Sequence, residues 1–94
     1  MPDLPVDEIL AIAAEFGASD IRVFGSRSRG DALPDSDLDL LMNLPRGTTL
    51  FDMARLKRAL EDRLGIRVDI LTEGSLHPVL KDRILAEARP LVAA

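Results

Sequence analysis

Apolar residues recur at Val6, Ile9, Leu10, Ala13 and Phe16, the three-and-four spacing that lines one face of an α-helix. The stretch from Met1 to Gly17 therefore reads as an amphipathic helix. Asp3 or Asp7 favours its start, Pro5 suits a first turn, and Gly17 suits the residue past its end. The period then changes. Asp20 to Phe24 reads as a strand delivering the chain into Gly25-Ser26, followed by a short helical segment, Ser26 to about Arg29, that Gly30 stops in a left-handed conformation. Leu33-Pro34 marks a loop. Alternation from Ser36 to Met42 predicts a second strand, closed by a turn from Asn43 to Gly47.

The clearest helix runs from Thr48 or Thr49, a capping residue, to Leu64, with Gly65 closing it. Leu50, Met53, Leu56, Leu60 and Leu64 form its apolar stripe, and the pairs Lys57/Glu61 and Arg58/Asp62 lie on a charged face that reads as solvated. Arg67 to Leu71 is a third strand. A last helix, roughly Pro78 to Ala88, carries Val79, Leu80, Ile84, Leu85 and Ala88, with His77 before it as a local hydrogen-bonding residue. The tail from Pro90 to Ala94 is apolar and reads as surface for a partner. Together these elements predict one small α+β domain spanning residues 1–94, with about three strands and helices packed against them.

Composition narrows the picture. With three Phe and neither Trp nor Tyr, the core must be aliphatic. A net charge of −4 argues against a stable nucleic-acid partner held by counterion release. The absence of Cys removes disulfides, thiol nucleophiles and zinc-thiolate sites. No leader and no apolar run near membrane-spanning length are present, so a cytoplasmic location is expected.

Candidate chemistry concentrates between Phe24 and Leu40, which reads Gly25-Ser26, three residues, Gly30, five residues, then Ser36-Asp37-Leu38-Asp39. Residues two apart on a strand share a side, so Asp37 and Asp39 converge while Leu38 and Leu40 face the core. Paired carboxylates repel unless a hard cation such as Mg²⁺ joins them. At the other end, Gly25 permits close approach and the helix start beyond it opens N–H groups and the Ser26 hydroxyl towards an anion. Arg27 and Arg29 are available to phosphate oxygens. With 11 Asp in the chain, a bare Asp-x-Asp arises about 1.3 times by chance, and Asp35-Ser36-Asp37 is such a decoy. All six fixed positions together should arise on the order of once in a hundred thousand such chains. On the third strand, Asp69 lies between Val68 and Ile70, so it faces the acid side if those two are buried.

These residues, Gly25-Ser26, Gly30 and Ser36-Asp37-Leu38-Asp39, resemble the signature of the DNA polymerase beta nucleotidyltransferase superfamily, and the short chain is similar to its minimal nucleotidyltransferase branch. The resemblance implies a nucleotidyltransferase fold built on a small mixed sheet. It implies ATP as substrate and Mg²⁺, two ions, bound by Asp37, Asp39 and Asp69, with Asp69 a metal ligand or the base for the acceptor hydroxyl. Gly25, Ser26, Arg27, Arg29 and Ser36 would surround the phosphates. Members of that branch act as antitoxins beside HEPN-type ribonuclease toxins, some by attaching AMP to a toxin tyrosine. Lacking Tyr and an acceptor-binding domain, this chain is expected to act on a partner. Two other readings stay open: an antitoxin that neutralises by binding alone, and a transferase acting on a small molecule or an RNA end.

Overall fold

The computed structural model describes residues 4–30, 33 and 36–92. Helix α1 spans Val6–Glu15 and strand β1 Ser19–Phe24; a single turn, α2, covers Ser26–Arg29. Strand β2 (Leu38–Asn43), helix α3 (Leu50–Leu64) and strand β3 (Val68–Leu71) follow. A 3₁₀ turn at Glu73–Ser75 leads to α4 (Pro78–Glu87) and a two-residue strand β4, Arg89–Pro90. The expected helix start at Asp3, the Pro34 part of the loop and the last two residues of the tail lie outside the described residues.

The sheet is mixed, in the order β3-β2-β1-β4. β1 pairs antiparallel with β2 and with β4, while β2 and β3 run parallel because α3 carries the chain back to the starting end. The strand count is thus four rather than about three. β4 was hidden because a two-residue strand containing Pro has no pattern of its own. Pro is tolerated there because an edge strand leaves its missing N–H towards solvent.

Alternation divides the sheet into two apolar faces. Ile21, Val23, Leu38, Leu40, Met42 and Val68 pack with Ile9 and Ala13 of α1 and Leu56 and Leu60 of α3. On the opposite face Phe24, Leu41 and Leu76 meet Leu71 and the Ile84, Leu85 and Ala88 side of α4. Mid-strand Arg22 is held by Glu73 at 2.8 Å and Asp20 at 3.4 Å, which ties the 3₁₀ turn to β1.

Several expectations shift with packing. Leu50 is 84% exposed, because α3 meets the core from Leu56 onward; its first turn is fixed instead by a capping box in which Thr49 and Asp52 bond reciprocally. Val79 and Leu80 on α4 are also exposed. Of the tail, expected to offer a partner surface, Leu91 docks on its own chain, buried and with its N–H donating to the Ile21 carbonyl at 2.8 Å, while Val92 is exposed. β2 begins at Leu38 rather than Ser36, since its N–H bonds to Arg67 at the first point where β3 lies alongside. Among the described residues no helix is long and apolar enough to cross a membrane.

Candidate active site

Three strands place the candidate chemistry in one row. Phe24 of β1 pairs with Asp39 of β2, and Asp39 pairs in turn with Asp69 of β3. Directly paired residues point to the same side of a sheet, so both acids share the face that carries Phe24. Asp69 reaches the expected side because Val68 is fully buried on the other one.

Gly25 follows Phe24 with φ 74° and ψ −153°, a region open essentially to glycine alone. The space beside it is taken by Asp39: a Cβ at Gly25 would stand 2.4 Å from Asp39 Oδ2. The close approach anticipated at this glycine therefore includes the carboxylate that the strand delivers. α2 starts at Ser26, and helix starts leave their first N–H groups without intrahelical acceptors. Gly30 ends it at φ 83°, ψ 11°.

Asp39 is the pivot of the acids. Its carboxyl is held above the ordinary value of 3.8, first by burial, then by the negative charges of Asp69 and Asp37 and a hydrogen bond shared with Asp69, with Arg29 opposing them. Asp37 lies one residue before β2 and is exposed. Asp69, found only from its strand context, is thus the nearer partner of Asp39. Among the described residues no three acidic or imidazole side chains close into a ready-made cation cage. The donor set nonetheless fits a hard divalent cation, because an anionic pair that burial and mutual repulsion disfavour is what such a cation relieves.

Arg27 and Ser36 are engaged in holding the connecting segment. Arg27 Nη2 donates to the Ser36 carbonyl at 2.8 Å, and Ser36 Oγ accepts from the Leu33 N–H at 2.7 Å. Arg29 faces the Glu87 carboxylate at 3.4 Å. The buried Ser28 hydroxyl donates to the Glu87 carbonyl, which fastens α2 to the end of α4.

One charged residue of the site was not singled out from the sequence. Lys57 forms the expected ion pair with Glu61 at 3.2 Å, but its ammonium also donates to the Val68 carbonyl and lies 3.6 Å from Asp69 Oδ1. Glu61 in turn accepts from the Val68 N–H at 3.0 Å. The pair thus satisfies both outward backbone groups of Val68 on an edge strand, where a neighbouring strand would otherwise bond. A Lys/Glu pair four apart gives no sign of this, because the contact depends on α3 lying alongside β3. Asp39, Asp69 and Lys57 border a cleft of about 430 Å³ whose remaining walls are Phe24, Met53, Ala54, Ile70 and Leu71.

Residues 6–92 match the family model of the nucleotidyltransferase domain. A protein of Methanocaldococcus jannaschii, provisionally named a protein adenylyltransferase, is 44% identical over 86% of this chain and 87% of its own length. The protein adenylyltransferase MntA of Thermococcus cleftensis is 39% identical over 77% of this chain and 73% of its own. The solved structure of a provisionally assigned minimal nucleotidyltransferase superposes with a TM-score of 0.80 at 52% identity, covering 92% of this chain and 88% of that one. A chain from a toxin-antitoxin structure with AMP-PNP shares the fold at 22% identity and a TM-score of 0.82, over 97% of this chain and 75% of that one.

Proposed function

We propose, on the premise that this chain belongs to the nucleotidyltransferase domain family and to its minimal branch, that it transfers AMP from ATP to a hydroxyl of a partner protein. The acceptor is a tyrosine of a HEPN-type toxin, and the chain serves as antitoxin. The relatives' names support protein adenylyl transfer, and the fold shared with toxin-antitoxin chains supports such a partner. The observation that carries the reading is the position of Asp39, pressed against Gly25 and in register with Asp69. A phosphate received by the amides that follow Gly25 would lie beside these acids.

In this mechanism the triphosphate lies over Gly25 and Ser26, with Arg29 offsetting charge that builds on the leaving group. Arg27 and Ser36 keep the segment before β2 in shape around it. Asp37, Asp39 and Asp69 would hold Mg²⁺, two ions, which when bound supply charge neutralisation and Lewis acidity at the α-phosphate. The acceptor oxygen forms a bond to the α-phosphorus as the bond to the bridging oxygen of pyrophosphate breaks. The acceptor proton passes to the Asp69 carboxylate. Most of the rate then comes from alignment, because the groups that meet are fixed on adjacent strands.

The test incubates the protein with labelled ATP, Mg²⁺ and a HEPN-type candidate partner. Transfer of label to the partner, abolished in Asp39→Asn and Asp37→Asn, is the expected result. Neutralisation that persists in both variants without labelling would establish an antitoxin acting by binding alone.

A further inference from the structure

Glu87 stands at the unfavourable end of its helix. It is the last residue of α4, whose final turn carries no basic side chain, and an acid there meets the partial negative charge of the unpaired carbonyls. Helix stability alone would place a cation at this position. Two guanidinium groups face the Glu87 carboxylate instead. Arg83, one turn earlier on α4, lies 3.7 Å away, and Arg29 Nη1 lies 3.4 Å from both carboxylate oxygens. Only Arg29 comes from another element, the single turn α2.

That turn depends on its neighbours. One turn of helix between Gly25 and Gly30, both at positive φ, has almost no stability of its own. Ser28 is buried, and its hydroxyl donates to the Glu87 carbonyl, one of those that the end of α4 leaves without an intrahelical donor. Two successive residues of α2 are therefore held by one residue of α4, through its backbone and its side chain. β4 sets where that residue stands. Arg89 pairs antiparallel with Val23, which brings the end of α4 alongside Phe24 and Gly25, where α2 begins.

We infer that Glu87 is a positioning residue for the nucleotide: it holds α2 and the Arg29 guanidinium where the outer phosphates of the triphosphate would meet them. The inference rests on the adenylyl-transfer reading above and adds the group that presets its cation. The contact runs through Nη1 alone, and a guanidinium carries five N–H groups in a rigid fork. One side chain can therefore hold Glu87 and a phosphate oxygen together. Burial raises the Asp39 carboxyl, and Arg29 stands near enough for its charge to oppose that rise. Without Glu87 the long Arg29 chain would have to be ordered as the nucleotide arrives, which opposes binding. The negative charge of Glu87 acts the other way, but its pairing with Arg29 and Arg83 offsets it.

Calorimetric titration of the full-length chain with a non-hydrolysable ATP analogue and Mg²⁺ tests the assignment, on the wild type, Glu87→Ala, Arg29→Ala and the double variant. The Glu87 and Arg29 side chains keep 22% and 45% exposure, so Glu87→Ala should weaken binding about fivefold, the upper end for such an ion pair. In the Arg29→Ala background the same change should cost nothing more, because Glu87 acts through Arg29. Glu87→Gln keeps the length and an acceptor oxygen; it should lose less, and it carries the test if Glu87→Ala does not fold. Affinity that is unchanged or tighter in the folded Glu87 variants would overturn the inference, leaving Glu87 as a fastening of α4 that shows only in Tm. A full loss that persists without Arg29 would overturn it too. A wild-type chain that takes up no analogue would instead overturn the adenylyl-transfer reading, and this inference with it.

Discussion

Replacing Gly25 by Ala separates the two demands that meet at that residue. The backbone there has φ 74° and ψ −153°, and holding a residue with a Cβ in such a region costs about 1–3 kcal/mol. For a domain of this size each kcal/mol lowers Tm by roughly 4–8 °C, so the variant should still fold at 20 °C. The second demand is local. The added carbon would sit 2.4 Å from Asp39 Oδ2, where contacts below 3.0 Å are essentially never found, so the carboxylate must retreat by at least 0.6 Å. A misplacement near 1 Å in an active site can reduce rate by about a hundredfold.

Gly30→Ala is the matched control. Its backbone is left-handed too, at φ 83°, so it should lose about 1–2 kcal/mol. Among the described residues, however, its Cβ would meet nothing within 4 Å. Thermal unfolding and the proposed Mg²⁺-dependent AMP transfer, measured on both, should show similar losses of Tm, with transfer lower by one to two orders of magnitude only in Gly25→Ala. Equal transfer rates in the two folded variants would refute the claim that Gly25 exists to make room for Asp39.

Three further outcomes follow from named contacts. Thr49→Ala removes the capping box that Asp52 completes, and chemical denaturation should show a loss of about 1 kcal/mol. Lys57→Met leaves the Val68 carbonyl at the edge of β3 without its ammonium donor; a loss of about 1 kcal/mol and faster amide exchange in β3 are expected, with Lys57→Arg restoring most of both. Glu61 is held below its ordinary value of 4.5, chiefly by the Val68 N–H and then by Lys57. Its contribution is therefore complete above that value and is lost as pH falls through the lower folded value. Urea titrations from pH 6 to 3 should show a decline to which Glu61 contributes and which is shallower in Glu61→Gln.

Much of the architecture was legible because it is local. The changes of period marked α1, β1, β2, α3 and β3, and Gly25, Gly30, Thr49 and Gly65 punctuated them where a positive φ or a cap was needed. The spacing of Gly25-Ser26 and Asp37-Leu38-Asp39 marked the candidate site for the same reason, since each group sits at the end or start of a strand that its own pattern reveals. Packing decided the rest. That Leu91 returns to β1 while Leu50 stays exposed depends on where the helices run out against the sheet. That Asp69 is the close partner of Asp39, and that Lys57 and Glu61 cover the outer edge of β3, depends on a parallel pairing that requires α3 to carry the chain back. Sequence specifies which faces are apolar and where the chain must turn; only the assembled sheet sets the distances between groups tens of residues apart.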